Sequence, residues 1–325
     1  MIVVQAPLRI SFFGGGTDLR AFYALEPGCV LSTAIDKRVY VIVKERFDDL
    51  IYVNYSRKEI VRHVDELDHG LVREAMKLTG VDGGVEITTL ADVPSEGSGL
   101  GSSSSVTVAL LLALYTYRGE APTAAQLAAE ACRIEIQLLG KPIGKQDQYA
   151  AAYGGIRYMT FYSDERVAVE RLDLSDGVQV RLGQRLILFY TGRTRSADSI
   201  LREQTQRVGE SLDALREMRA QAELGRAALL SGDFEMFGRM LHEAWMLKRS
   251  LAGGITNPEI DAMYGAARAA GAWGGKVTGA GGGGFFLLCT PPSVRDAVRT
   301  ALRDFRELPI GFERHGARVI FNAHQ

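Results

Sequence analysis

Several things are scarce in this chain of 325 residues, and each scarcity excludes a class of protein. Cysteine occurs three times, as Cys29, Cys132 and Cys289, far apart and in apolar surroundings. An odd, scattered set argues against a disulfide framework and has no metal-ligand spacing, so buried free thiols in a reducing compartment are expected. Net charge is nearly absent, at −1, which excludes a general attraction to nucleic acid or to acidic membranes. No apolar run approaches the length of a membrane span. Met1-Ile-Val-Val-Gln-Ala-Pro7 carries neither a basic region nor a signal-length apolar stretch, so a cytoplasmic protein is expected. There are no clear internal repeats and no low-complexity tract. Two common phosphate motifs are also missing. Gly140-Lys-Pro-Ile-Gly-Lys-Gln146 has the wrong spacing for a P-loop and no hydroxyl after its lysine. The G-x-G-x-x-G match from Gly279 to Gly284 leads into Phe285-Phe-Leu-Leu-Cys289, a buried-strand pattern where a dinucleotide fold needs a helix.

Glycine, by contrast, is abundant, with 36 residues concentrated in a few loops. The most informative loop is Pro94-Ser-Glu-Gly-Ser-Gly-Leu-Gly-Ser-Ser-Ser-Ser105, which runs into the apolar segment Val106 to Tyr115. Val85 to Leu90 alternates as a strand does, so the order is strand, glycine loop, helix. The first amides of a helix lack internal partners and the macrodipole makes that end positive. Gly97, Gly99 and Gly101 admit an anion close to the backbone, and Ser102 to Ser105 add hydroxyls. Read alone, the same segment also fits a Ser-capped helix after a flexible turn.

Three further segments share the chemical theme. Pro7 to Asp18 reads as a loop in which Gly14, Gly15 and Gly16 permit close approach and Thr17 and Asp18 offer polar groups for sugar hydroxyls; a tight turn with Asp18 as an N-cap fits equally well. Asp147 stands between glycine and proline punctuation and the helix Gln148 to Tyr153, with Glu135 on the preceding helix; an ordinary cap and a solvated glutamate are the local alternatives. Lys276 to Gly284 reads as strand, glycine loop, strand, a bare backbone against which a substrate can lie.

The remaining pattern assigns strands to 2–5, 38–47 and 50–53, the last two paired across Asp48-Asp49, and a helix to 71–79. A helix over 123–139, a short helix over 146–152, and strands over 156–161 and 166–172 follow. The second half has a strand over 185–190, long helices to about 251 interrupted near Gly225 and Gly232, a helix over 258–270, a helical stretch over 292–305 and a closing strand over 317–321. Strands grouped with helices favour α+β, with a boundary near residue 180, giving units 1–180 and 181–325.

Pro7-x-Arg9 through Gly-Gly-Gly-Thr-Asp18, the Gly-Leu-Gly-Ser-Ser cradle and Lys-Val-Thr-Gly-Ala-Gly-Gly-Gly-Gly284 together resemble the three ordered signature motifs of the GHMP kinase superfamily, and the resemblance spans the chain. Pro142-Ile-Gly-Lys-Gln-Asp-Gln148 and Thr191-Gly-Arg-Thr-Arg195 are most similar to bacterial heptose 7-phosphate kinases. The resemblance implies an N-terminal ATP-binding domain with a left-handed βαβ unit, of the ribosomal protein S5 domain 2-like type, and a ferredoxin-like C-terminal domain. It implies ATP and Mg²⁺, with the ATP phosphates on Gly97, Ser98, Gly99, Leu100, Gly101, Ser102, Ser103 and Ser104, and with Ser103 and Glu135 as metal ligands. Asp147 and Arg9 are expected in the catalytic roles, and Gly14, Gly15, Gly16, Thr17, Asp18, Lys145, Gly281 and Gly282 at the sugar; Arg193 and Arg195, at a strand-to-helix turn with a free helix N-terminus, suit the sugar's phosphate, while solvation or pairing with Asp198 and Glu203 fits them equally well. The implied partners are ATP and a small sugar phosphate, in a monomer or homodimer, with no nucleic acid and no membrane. Two departures from the family pattern stand out. The cradle holds one residue more than usual, from which an outward bulge at Glu96 is expected, and the spacing from Glu135 to Asp147 is one residue longer than in mevalonate kinases. Sibling kinases of unphosphorylated sugars and a non-catalytic sensor of the same fold are the competing readings; survival of the acid and the metal-ligand types favours an enzyme.

Overall fold

A computed structural model of the chain describes residues 1–94, 97–193 and 197–323. Strand β1 (Ile2–Phe13) is buried along nearly its whole length. A one-turn helix α1 (Arg20–Tyr23) leads to the long strand β2 (Gly28–Glu45), then β3 (Ile51–Asn54), β4 (Lys58–Val61), helix α2 (Gly70–Thr79) and β5 (Val85–Ala91). Helix α3 (Ser102–Tyr117) is buried on all sides, which its unbroken Val106–Tyr115 apolar run requires. Helices α4 (Ala124–Cys132) and α5 (Gln146–Tyr153), strands β6 (Ile156–Phe161) and β7 (Val167–Arg171), and helix α6 (Asp176–Gly183) complete the first half.

The second half runs β8 (Leu186–Tyr190), α7 (Ala197–Gln206), α8 (Leu212–Ser231), α9 (Phe234–Ser250), α10 (Pro258–Ala269), β9 (Gly274–Val277), β10 (Phe285–Cys289), α11 (Arg295–Ala301), β11 (Arg306–Glu307) and β12 (Arg318–Asn322). Two sheets result. The larger has the order β12-β1-β2-β5-β3-β4, with β6 and β7 joined to β2; β3 and β5 are its parallel pair, with α2 in the crossover between them. The smaller has the order β11-β8-β10-β9, all antiparallel. Numbered within this half, that order is four-one-three-two, the ferredoxin-like arrangement, with four helices in its first crossover. Among the described residues no helix is long and apolar enough to cross a membrane.

The structure departs from the sequence pattern at five places. Pro7 to Phe13 is strand, not loop: Pro7 sits at a register shift in the β1–β2 ladder, where its missing N–H costs no regular pairing. Strand β2 begins ten residues earlier than expected. It does not pair with β3 across Asp48-Asp49, because β5 lies between them. The helix expected over 123–139 changes at Arg133 into a π-helical turn, Arg133–Leu138. Gly225 lies inside α8 rather than at a break, since a Cβ there would come within 2.5 Å of the Phe13 ring; its absence lets α8 lie on β1.

One core joins the halves. Phe237 of α9 packs edge-on to Phe12 and Phe13 of β1, with ring centroids 5.2 and 5.1 Å apart. The apolar cluster of the large sheet continues through Phe285, Leu287 and Cys289 of β10. A second cluster, around Trp245, Phe286 and Ile255, lies mainly in the second half and takes in Phe22 of α1. Between the halves opens a cleft of about 1100 Å³.

Candidate active site

The cleft is built on the end of β5 and the start of α3. Gly97, Gly99 and Gly101 adopt φ values of 67°, 73° and 78°, open to glycine without strain. Gly101 is the N-cap of α3 and has no side chain to satisfy the first-turn amides, so these stay available to an anion. The cradle is held from behind by the second half's glycine loop. Phe285 N–H donates to the Ser98 carbonyl at 3.2 Å, and a Cβ on Gly284 would lie 2.4 Å from that same oxygen. A Cβ on Gly99 would lie 2.5 Å from the Thr278 carbonyl. The glycines of the two loops let backbone lie on backbone.

At the cradle's inner end, the guanidinium of Arg9 grips the Asp147 carboxylate with two bonds of 2.7 Å and donates a third, of 2.6 Å, to the Gly99 carbonyl. This is the planar fork that arginine matches to a carboxylate. Asp147 belongs to the first turn of α5, where the helix end favours a negative charge, and its Oδ2 lies 3.3 Å from where a Cβ of Gly101 would stand. The Asp147 carboxylate is thus beside the glycine cradle. Asp18 does not cap α1. Its carboxylate accepts the Gly16 amide at 2.9 Å and the Gln146 amide at 3.2 Å, tying the β1 loop to the start of α5. Burial, and the nearby charge of Asp147, push the Asp18 carboxyl above its ordinary value. Ser11 Oγ and the Gln146 side-chain oxygen line the same corner, buried and without protein partners.

Glu135 is fully buried on the π-helical turn, whose wider spacing aims it inward. Its Oε1 accepts from Ser103 Oγ at 2.5 Å and from the Lys141 ammonium at 3.1 Å; Lys141 also donates to Ser103 at 2.7 Å. The Gln148 amide holds Oε2 at 2.7 Å, and its own side-chain oxygen is buried without a partner. Hard oxygen donors from a carboxylate and a hydroxyl suit Mg²⁺, and the ammonium drawn between them marks the spot as one that attracts positive charge. The pair fits the ion.

Of the residues singled out in the sequence, the cleft brings together Arg9, Gly15, Gly16, Asp18, Gly97, Ser98, Gly99, Gly101, Ser102, Ser103, Ser104, Glu135 and Asp147. Others lie off it. Gly14 backs onto Cys29, Thr17 bonds Gly14 and Cys29, and Leu100 is buried core. Lys145 turns away: its ammonium pairs with Glu165 and stands 4.8 Å from the Tyr23 ring. Gly281 and Gly282 face Ile255, whose carbonyl accepts the Gly282 amide at 2.8 Å, so their small size serves loop packing. Arg193 is exposed and paired with Glu259 at 2.5 Å. Glu96 and Arg195 lie outside the described residues.

The sequence reading missed other cleft residues. Tyr55 and His69, an edge-to-face pair with centroids 4.6 Å apart, line the cleft together with Leu71 and Leu90; burial lowers the His69 pKa. Lys141 was legible as a cation inside the glycine-punctuated segment 140–144. Lys276 opens the last glycine motif. Lys248, beside Arg249, reads as a solvated helix face and gave no signal.

Residues 58–155 match the GHMP kinases N terminal domain, and residues 226–307 match the GHMP kinases C terminal domain. A D-glycero-alpha-D-manno-heptose 7-phosphate kinase of Campylobacter jejuni is 31% identical over 93% of this chain and 93% of its own. A mevalonate kinase of Methanothermobacter thermautotrophicus is 30% identical over 88% of this chain and 91% of its own. The crystal structure of a D-glycero-D-manno-heptose 1-phosphate kinase from Bacteroides thetaiotaomicron superposes with a TM-score of 0.84, at 26% identity, over 99% of both chains.

Proposed function

The chain belongs to the GHMP kinase family, and from that premise we propose that it is a sugar kinase that transfers the γ-phosphoryl group of ATP to a heptose monophosphate, at the anomeric hydroxyl of a heptose 7-phosphate. The observation that carries the reaction class is the Arg9–Asp147 fork set against Gly99 and Gly101 of the cradle. Phosphoryl transfer asks a protein for positioning and charge neutralisation more than for covalent chemistry. The cradle amides and the α3 N-terminus bind the phosphates. Asp147 accepts the hydrogen bond of the acceptor hydroxyl and takes its proton late. Arg9 fixes the carboxylate's orientation and brings positive charge to the reacting oxygens. Ser11, Gln146 and Asp18 offer the acceptor's other hydroxyls their polar atoms. Tyr55, His69, Leu71 and Leu90 offer a flat, partly apolar end to the nucleotide base. Ser103 and Glu135 would hold Mg²⁺, which when bound supplies charge neutralisation on the phosphates.

The heptose assignment leans on two relatives whose names share a heptose monophosphate and differ in the position of its phosphate. Identity alone does not separate it from other acceptors, since a mevalonate kinase stands at 30%. A second reading, a sibling acting on an unphosphorylated sugar, is favoured by one observation: Arg193 pairs with Glu259 outside the cleft instead of waiting there for a phosphate. An ADP-release assay with ATP and Mg²⁺ over heptose 7-phosphate, mannose, fucose, galactose, homoserine and mevalonate decides. Turnover confined to the heptose phosphate is the expected result; turnover with a free sugar transfers the assignment to the sibling. Asp147→Asn should lower kcat by about 10²–10⁴-fold while ADP affinity holds. Undiminished kcat would remove Asp147 from the chemistry.

A further inference from the structure

Two lysines reach the cleft from the second half, and the mechanism above uses neither. Lys248, on α9, is buried and donates to the carbonyls of Val277, at 3.1 Å, and Gly279. Lys276, on β9, is buried and donates to the Phe12 carbonyl at 2.8 Å. Among the described residues neither ammonium is within ion-pair distance of a carboxylate, unlike Lys141 and Lys145, which each pair with a glutamate. Arg9 is near both, and its own carboxylate partner, Asp147, is already gripped by two bonds. Three cations thus share one wall of the cleft, and only Arg9 has a carboxylate partner there. An ammonium has three donors, so carbonyls leave Lys276 two and Lys248 one to offer. Buried charge without a counter-ion is costly, and a fold that only needed to close its loops could cap these carbonyls with neutral donors.

We propose that Lys248 and Lys276 form an anion subsite that takes a phosphate group on the second-half wall of the cleft, beside Arg9. The inference deepens the kinase reading and rests on it for the source of that phosphate: either the transferring phosphoryl group or the phosphate already on the acceptor. Without an anion the site is unfavourable to charge. Burial first, then the other cations, pull both amines below their ordinary values, Lys276 to about 7. A phosphate that restores the charge therefore draws protons from solution.

The test is calorimetric titration of the whole chain with inorganic phosphate near pH 8, in two buffers of unlike ionisation enthalpy. Wild type should bind phosphate with net proton uptake. Lys248→Gln keeps a donor for the Gly279 carbonyl; it should weaken phosphate binding at least about tenfold and change ADP affinity by less than about threefold, and Lys276→Met should reduce the proton uptake. Two further titrations distinguish the sources. If the β,γ-imido analogue of ATP excludes phosphate and ADP does not, the subsite holds the transferring group. If heptose 7-phosphate excludes phosphate and both nucleotides leave it bound, the subsite holds the acceptor's phosphate. Phosphate affinity and proton uptake unchanged in Lys248→Gln overturn the proposal, whether or not Lys276→Met folds. So does a wild type that binds no phosphate. Because binding is read without turnover, a protein that binds phosphate this way yet phosphorylates no sugar keeps the subsite and loses the kinase reading.

Discussion

Arg9 commits three nitrogens to two partners, and this determines how the reacting corner responds to change. Its fork leaves Asp147 little freedom to rotate, so in the proposed reaction the acceptor hydroxyl would meet a carboxylate already aimed. Lys276 behaves differently. Its ammonium falls from 10.5 to about 7 on folding, through burial and then the charge of Arg9. The unfolded chain therefore holds this proton more firmly. The sign is that of a depressed amine: its contribution to stability is present above about pH 10.5 and is lost as pH falls through about 7. Urea titrations at about pH 7 and pH 10 should show wild type gaining stability relative to Lys276→Met at the higher pH; an unchanged difference would mean the amine is not titrating as described. Residues such as Gly99, Asp147 and Arg9 were legible in the sequence because short-range motifs carry them, with spacing and punctuation intact. Lys248 was not. Its meaning comes from the carbonyls of residues 277 and 279, which only the fold brings to it.

At the scale of elements, the two glycine loops act as one part. A side chain at Gly284 would need a φ near 80° and would meet the Ser98 carbonyl at 2.4 Å. Gly284→Ala should therefore cost about 2–4 kcal/mol of stability and weaken ADP binding as well, because Ser98 belongs to the cradle. Stability loss by urea titration with ADP affinity untouched would separate the loops functionally. The motifs in the chain reveal which loops matter but not what packs against them: at Gly281 and Gly284 the close neighbour is Ile255 or protein backbone, and Gly282 donates its amide to the Ile255 carbonyl. The π-helical turn was likewise hidden. An apolar periodicity over 123–139 cannot distinguish an α-helix from one that widens at Arg133, yet that widening is what buries Glu135 beside Ser103. Pro7 hid the length of β1, because a proline at a bulge has the same sequence signature as one in a loop.

For the molecule as a whole, the shared core predicts a single unfolding event. Phe12 and Phe13 on the first strand pack on Phe237 in the second half, so neither half keeps its interior when the other opens. Both tryptophans, Trp245 and Trp273, lie in the second half, whereas far-ultraviolet circular dichroism reports on every element. Their denaturation curves should coincide; two separated midpoints would mean the halves unfold independently. The grouping of strands with helices was enough for α+β, and the family resemblance for the second half's sheet. A division near residue 180 is a proposal about folding units, and the end of the chain complicates it: β12 pairs with β1, and Glu313 bonds Arg38 at 2.5 Å. β1 is thus synthesised well before the strand that pairs with its outer edge. On the ribosome β1 waits with one edge open, and the large sheet acquires this border only when residues 318–322 clear the exit tunnel. Slow or interrupted synthesis of the stretch that carries β12 would leave an unfinished sheet edge exposed to neighbouring nascent chains, a hazard that falls on making this protein rather than on running it.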